Sequence, residues 1–299
     1  MVFLQLPGCS IRHLATGSLA DALSSQGSGF ATDDDPDLIR DAAPFGLKTM
    51  EQVLDDQPKH VGLLTSLASG FTQYAVAFVQ ADADELADKD RVRSQLLQIR
   101  ARKLFLRARN YGLRGLEVRH PGFTQAIENG DPAASAAREK QLASLAKEDV
   151  ALLYWTGAAW TLAIASGKDQ MKLVGDLPLV ESMMARAYAI DPDYDQGALE
   201  EYFVAYDASR SAAEGGGPDK ARKHLDRALA LSKNEKLGGL VSYAEGVCVN
   251  GQDKATFTQL LDRVVAFDAD TAPAHRLANL VAQRRAKWLL GRAADLFAE

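Results

Sequence analysis

The chain has 299 residues, of which 47% are hydrophobic and 25% are charged, so it is long enough for one large domain or two small ones with a substantial core. Its 34 basic and 40 acidic residues leave a net charge of −6, which argues against nucleic-acid binding through bulk positive charge. Two cysteines exclude a disulfide scaffold. The absence of a long unbroken apolar run predicts no membrane-spanning helix.

The N-terminus carries the pattern Leu6-Pro7-Gly8-Cys9, which is typical of the site at which bacterial lipoproteins receive their lipid. Pro7 stands where a small or hydroxyl residue is usual, and residues 1–6 are shorter than the apolar run of a signal peptide. We predict lipidation of Cys9, with a chance match as the alternative. Residues 1–36 would then be a lipid-bearing N-terminus and tether, and residues 37–299 a single helical domain.

The rest of the chain shows helical periodicity without convincing strand alternation. A degraded form of the second-helix signature of the tetratricopeptide repeat (TPR), with anchors at i, i+4 and i+7, occurs five times. The anchors are Gly46, Met50 and Val53; Ala101, Phe105 and Ala108; Val180, Met184 and Ala187; Ala221, Leu225 and Ala228; and Phe257, Leu261 and Val264. Each set lies on one side of a helix, where small residues allow a partner helix to approach.

The first-helix signature of the same repeat alternates with these anchors. Its four copies are Leu64-x2-Leu67-Ala68-x2-Phe71, Leu153-x2-Thr156-Gly157-x2-Trp160, Leu199-x2-Tyr202-Phe203-x2-Tyr206 and Leu240-x2-Tyr243-Ala244-x2-Val247. The alternation predicts an all-α fold, an α-solenoid or helical bundle of degenerate TPR-like helix pairs. The long interval between Ala108 and Ala187 predicts additional helices that let the array curl, because a regular array repeats about every 34 residues.

Arginines recur at seven-residue steps from Arg93 to Arg114, through Arg100 and Arg107. Seven residues make about two helical turns, so these side chains share one side of a helix. The functional interpretation is a basic stripe that binds a carboxylate ligand or an acidic partner, since the guanidinium group binds a carboxylate through two parallel hydrogen bonds. The alternative is a solvated surface balanced by acidic residues elsewhere.

Aromatic residues concentrate in two segments, and four of them, Tyr154, Trp155, Tyr202 and Tyr206, are candidates for lining a ligand pocket. Pockets commonly combine apolar bodies with a few polar tips. Core packing between repeats is the alternative. Trp160 occupies a repeat position and is predicted to be core, whereas Trp155 lies off that position and is the better pocket candidate.

No catalytic motif, phosphate-binding loop or metal-ligand spacing is present, so the sequence predicts a protein that is not an enzyme and binds no metal or cofactor. Asp191-x-Asp193-x-Asp195 has the start of a calcium loop. However, Gln196 and Tyr202 stand where such a loop needs Gly and Glu. The segment instead predicts a turn between repeats.

Four segments give the chain a resemblance to a known family: residues 101–117, 154–160, 190–198 and 221–231, the last together with Tyr243 and Ala244. They resemble the TatT proteins, the tetratricopeptide-containing T component associated with TRAP transporters. The resemblance extends over about residues 37–290, and the lipobox-like start agrees with it because the family consists of lipoproteins.

This resemblance implies a periplasm-facing protein, lipid-anchored in the bacterial cell envelope, that assembles as a homotrimer. It further implies that the protein binds a periplasmic solute-binding (P) component and a hydrophobic or organic-acid ligand. A general TPR scaffold lipoprotein, which binds peptide segments during envelope assembly, is the alternative function. A transport component should enclose an apolar pocket, whereas an adaptor should present an open polar groove.

Overall fold

The computed structural model of the chain describes residues 9–25, 27–128 and 135–298. The described N-terminal half contains the helices α1 (Cys9–Ser25), α2 (Gly27–Ala31), α3 (Pro36–Asp56), α4 (Val61–Tyr74), α5 (Ala81–Leu86), α6 (Arg91–Arg119), α7 (Phe123–Glu128) and α8 (Ser135–Ser144). The remainder contains α9 (Val150–Ala165), α10 (Met171–Val174), α11 (Leu177–Ile190), α12 (Tyr194–Ala208), α13 (Pro218–Leu231), α14 (Gly238–Tyr243), α15 (Lys254–Ala266), α16 (Arg276–Gly291) and α17 (Ala293–Leu296). No strand occurs within these three ranges, which confirms the predicted all-α fold.

Side-chain caps explain where several of these helices begin. The Asp35 carboxylate accepts hydrogen bonds from the backbone N–H groups of Asp37 and Leu38 at the start of α3, with Pro36 as the first helical residue. Asp90 caps α6 and Asp253 caps α15 in the same way. A cap satisfies N–H groups that have no partner inside the helix, and its loss typically costs about 1 kcal/mol.

The helices that carry the predicted repeat motifs pack in consecutive pairs. Helix α4 packs on α6, α9 on α11, α12 on α13, and α14 with its π-helical continuation (Ala244–Cys248) on α15. Phe105, Met184, Leu225 and Leu261, the central anchors of four motifs, are each at most 1% exposed. The anchor pattern therefore identifies both the pairs and the residues that join them.

The long interval in the repeat pattern contains α7, α8 and α10, so the predicted additional helices are present. Residues 129–132, whose sequence Asn-Gly-Asp-Pro is typical of a turn before a helix, lie outside the described residues. The segment from Asp191 to Asp195 is a turn whose three aspartates pair with separate cations, Lys147, Arg227 and Lys236.

Helices α4 and α5 form one continuous helix, Val61–Leu86, joined by a π-helical segment, Ala75–Gln80. Length and composition alone would allow this helix to cross a membrane, which the sequence had not predicted. Half of its most apolar 18-residue window is buried inside the protein, with Leu64, Leu67 and Ala68 fully covered. This burial is what a core helix of the bundle shows.

The described part of the predicted tether is helical. In α1, Ala20 is fully buried, and the helix packs on α3 and α4. The Gln57 amide donates to the hydroxyl of Thr16 over 3.0 Å, and Asp21 lies 3.0 Å from the ring of His60. Helix α1 begins at Cys9, whereas Leu6, Pro7 and Gly8 of the lipobox-like pattern lie outside the described residues.

The last long helix returns to the first helices, so the array of pairs closes on itself. Helix α16 packs against α2 and α3, and Leu277 joins the small apolar cluster of Ile39, Ala43 and Phe78. Three ion pairs cross this seam: Arg284–Asp37 at 3.0 Å, Arg285–Asp84 at 2.9 Å and Arg292–Asp88 at 2.7 Å. We call this contact between α16 and the N-terminal helices the closing seam.

Candidate functional site

Helix α9 is covered on most of its circumference and open along one narrow strip. Leu153, Thr156 and Trp160 are at most 1% exposed, which confirms that Trp160 belongs to the core. Tyr154 and Trp155 are only half-buried, as is Thr161 two turns after Tyr154. The strip therefore presents aromatic rings from a helix that is otherwise part of the core.

Helix α12 supplies the facing side chains. The ring of Tyr154 lies 4.9 Å from that of Trp155 and 5.4 Å from that of Tyr194. Two turns further along the strip from Tyr154, the Tyr202 hydroxyl lies 2.9 Å from the Thr161 hydroxyl. We call the half-buried group Tyr154, Trp155, Tyr194, Tyr202 and Tyr206 the aromatic site.

Burial controls the ionisation of these phenols. It raises the pKa of Tyr194 and of Tyr202 to about 12, and it raises the pKa of Tyr154 further. All three are therefore neutral at physiological pH and can donate or accept hydrogen bonds without acting as bases. The Tyr154 hydroxyl makes no hydrogen bond to any described residue, so it can donate to a guest molecule.

Tyr206 is already engaged. It stacks on Tyr202 with ring centroids 5.7 Å apart, and its hydroxyl donates to Glu181. Arg210 donates to the same hydroxyl over 3.0 Å. The ring of Tyr206 can thus contribute apolar surface, but its polar end holds α11 and α12 together.

A carboxyl group borders the aromatic site. Burial raises the pKa of Glu201, and Lys236 and a hydrogen bond from the backbone of Gly239 offset part of this effect. Lys236 itself pairs with Asp195 at 2.9 Å. The site therefore combines apolar rings, neutral phenols and a carboxyl that gains protons more readily than an exposed one.

The structure places the two arginine candidates elsewhere. Arg107 pairs with the buried carboxylate of Glu51, and its guanidinium group lies 5.1 Å from the centre of the Phe71 ring. Arg100 is exposed, with its closest partner, the Tyr74 hydroxyl, at 3.5 Å. Both point to the α3 and α4 side of α6, so the structure does not bring them together with the aromatic rings.

Two surface pockets in the described part of the chain lie away from the aromatic site. One of about 260 Å³ lies between α3 and α6 and includes Tyr74 and Arg100. The other, of about 540 Å³, lies between α8 and the end of α6. Arg100, one of the candidates from the sequence, thus lines the smaller of these two pockets.

Sequence reasoning missed Tyr194 and Glu201. Tyr194 lies within the segment Asp191–Asp195, and Glu201 precedes Tyr202, so both lay in or beside segments already singled out. Neither position had a spacing that predicts a ligand contact. Only the packing of α12 on α9 brings them beside Tyr154.

A buried charged cluster joins α12 to α13 without forming a metal site. His224 lies 3.4 Å from Asp207 and also contacts Glu200, which Arg227 reaches at 2.7 Å. Both carboxylates are fully buried. Over the described ranges, no group of three His, Cys, Asp or Glu side chains is arranged to hold a metal ion.

Comparison with known proteins assigns this arrangement to a family. The family described as TRAP transporter T-component matches residues 32–297. An uncharacterized protein of Treponema pallidum (strain Nichols) is 30% identical over 304 residues, which cover 97% of this chain and 93% of the relative. The chain therefore belongs to the TRAP transporter T-component family.

Proposed function

We propose that this protein is a non-enzymatic, periplasm-facing lipoprotein of a TRAP transport system, and that it holds a small ligand at the aromatic site. Membership of the T-component family associates the chain with a TRAP system, which is the observation that carries the proposal. The family is a component of bacterial envelope transporters, and the absence of a catalytic motif in the sequence is consistent with a binding role.

The aromatic site supports a ligand with an apolar body and a small polar end. Tyr154 and Trp155 leave ring surface partly open on a helix whose other sides are packed. The unengaged hydroxyl of Tyr154 can bind a carbonyl or carboxyl oxygen. A hydrophobic or organic-acid ligand fits this combination. Arg107, which the sequence offered as a partner for an anionic ligand, lies away from the aromatic site and pairs with Glu51.

The proposed partners are the periplasmic solute-binding component of the same system and other copies of this chain, with a trimer implied by the family resemblance. Attachment to the membrane would come from lipid on Cys9, because two or more acyl chains anchor a protein stably whereas a single one holds it only marginally. Radiolabelled palmitate should label the wild-type chain in cells and should not label a Cys9→Ser variant. Equal labelling of the two would refute the anchor and leave the transport role intact.

Isothermal titration calorimetry between the purified chain and the solute-binding component of the same transport system tests the partner. We expect saturable binding. If charged surfaces dominate the contact, high salt should weaken this binding, and if apolar surfaces dominate it, salt should have little effect. Absence of heat and of co-sedimentation at tens of micromolar would contradict the proposal. Binding of unrelated extended peptides, without binding of the solute-binding component, would favour the scaffold function instead.

A further inference from the structure

The outer surface of α3 and α6 carries large apolar side chains that the fold leaves uncovered. On α3, Phe45 is 79% exposed and Leu38 57% exposed. On the first half of α6, Val92, Leu96 and Ile99 are 69%, 63% and 41% exposed. Large exposed apolar patches on a folded protein mark contacts with another molecule, whereas single exposed apolar residues are ordinary.

The exposed apolar side chains of the two helices flank one pocket, which is lined by Asp41 and Pro44 on α3 and by Leu97 and Arg100 on α6. Arg107 binds Glu51, and Arg114 donates to the carbonyl of Pro58; in both contacts the partners are 56 residues apart. The constant offset means that the two helices run parallel, so Leu38 lies level with the segment between Val92 and Leu96. By the same offset Phe45 lies close to the level of Ile99. The pocket between α3 and α6, of about 260 Å³, separates the two rows. We call this five-residue surface the outer patch.

The two sides of the outer patch carry opposite charge. On α6, Arg93, Arg100 and Lys103 are exposed and form no ion pair with any residue described. Near the start of α3, Asp34 and Asp41 are exposed and likewise have no cation within ion-pair distance in the described ranges. Helix α6 therefore carries unpaired cations and the start of α3 carries unpaired aspartates. The charges on α6 of one copy are complementary to those on α3 of another.

We propose that the outer patch binds a second copy of this chain, with α3 of one copy on α6 of the next. Such a contact covers all five apolar side chains and places aspartates opposite arginines and lysine. An anionic membrane would attract the basic row but repel the aspartates beside it. The proposal rests on the homo-oligomer included in the proposed function and assigns its interface.

Sedimentation equilibrium of the full chain at tens of micromolar tests the assignment. Wild-type protein should be oligomeric, and both Phe45→Glu and Leu96→Glu should weaken association at least tenfold. Met171→Glu is the matched control, because Met171 is 80% exposed on α10 and lies outside the outer patch; it should associate like wild type. Circular dichroism should show that each variant remains folded, since every substituted side chain is exposed.

A charge exchange tests the orientation. Asp41→Arg alone and Arg93→Asp with Arg100→Asp should each associate less than wild type, and combining the three substitutions in one chain should restore association. An oligomer that survives Phe45→Glu and Leu96→Glu would overturn this interface while the proposed oligomer stands. A wild-type chain that stays monomeric would overturn both, and its flotation with anionic vesicles would identify a membrane surface instead.

Discussion

Glu51 determines which arginines of the basic stripe on α6 remain available to bind another molecule. Its carboxylate is almost fully buried and accepts hydrogen bonds from Arg107, Lys48 and Tyr111. Burial alone would raise the pKa of Glu51, but these three donors outweigh it and lower the pKa below its usual value of 4.5. Arg107 is therefore a structural partner of α3, and Arg100 keeps the more exposed guanidinium group.

We expect Glu51→Gln to lower the unfolding free energy by about 1–3 kcal/mol at pH 7, because it leaves Arg107 and Lys48 without their charged acceptor. Since the folded pKa is lowered, this stabilisation is fully present above pH 4.5 and is lost as the pH falls through the folded value. Urea unfolding at pH 7 and at acidic pH measures the difference. Glu148→Gln, at an exposed position, should leave stability unchanged; an equal loss in both variants would refute the network.

The two neighbouring tryptophans of α9 offer a matched comparison. Trp160 is 1% exposed and its indole N–H donates to Asp176 over 3.1 Å, so Trp160→Ala should cost about 3–5 kcal/mol. Trp155 is half-buried at the aromatic site, so Trp155→Ala should cost much less. Thermal unfolding of the two variants decides this, and a similar large loss in both would place Trp155 in the core.

The repeat pattern identified Trp160 as core because it occupies the last position of the first-helix signature that begins at Leu153. It could not identify the partner of Arg107, because Glu51 is 56 residues away and belongs to another helix pair. Periodicity along one helix predicts which side chains share a side. It carries no information about which element covers that side.

At the scale of elements, the close contact of α6 with α9 depends on a residue without a side chain. A Cβ atom on Gly112 would lie 2.0 Å from the Thr156 hydroxyl oxygen, which is itself buried and bonded to the carbonyl of Leu152. Helices α6 and α9 can approach this closely only because Gly112 has no Cβ atom.

Gly112→Ala should therefore destabilise the protein by about 1–3 kcal/mol, because the helices must separate or Thr156 must move. Gly291→Ala is the control: it lies at the end of α16, where no atom lies within 4 Å of the added carbon. The control should be neutral or slightly stabilising. Chemical denaturation of both variants gives the comparison, and a neutral Gly112→Ala would show that α6 and α9 are less closely packed than described.

At the start of α12, the backbone adopts a conformation that the sequence patterns did not predict. Asp195, Gln196 and Gly197 all have positive φ, at 45°, 52° and 97°, so the regular helix begins only after them. The motifs placed a helix from Leu199 to Tyr206 correctly, since those residues follow the repeat. They could not predict a left-handed turn in which only Gly197 is free of conformational cost.

At the scale of the whole molecule, the closing seam joins the chain ends mainly through charge. Arg285 is central, because it pairs with Asp84 across the seam and with Glu245 within its own half, and its side chain is only 21% exposed. The apolar contribution is small and centres on Leu277. Closure of the array was predicted only as curling, because no local pattern relates α16 to residues more than 190 positions earlier.

We expect Arg285→Met to weaken the seam by about 1–2 kcal/mol, a value below that of a fully buried pair because solvent partly screens it. Hydrogen exchange should then speed up in α16 and α2 while α9 stays protected. Arg222→Met, which removes an exposed pair with Asp226 on α13, should change nothing measurable. Uniform loss of protection across all helices would show that the seam is not a separate unit.

Native mass spectrometry of the chain, purified without added ligand, tests most directly whether the closed helical array holds a guest at its aromatic site. We predict that wild-type protein carries a small molecule with an apolar body, that Trp155→Ala carries markedly less of it, and that Met171→Ala carries the wild-type amount. Detection of the wild-type chain only at the mass of the protein alone, or equal ligand occupancy in wild type and Trp155→Ala, would contradict ligand binding at the aromatic site.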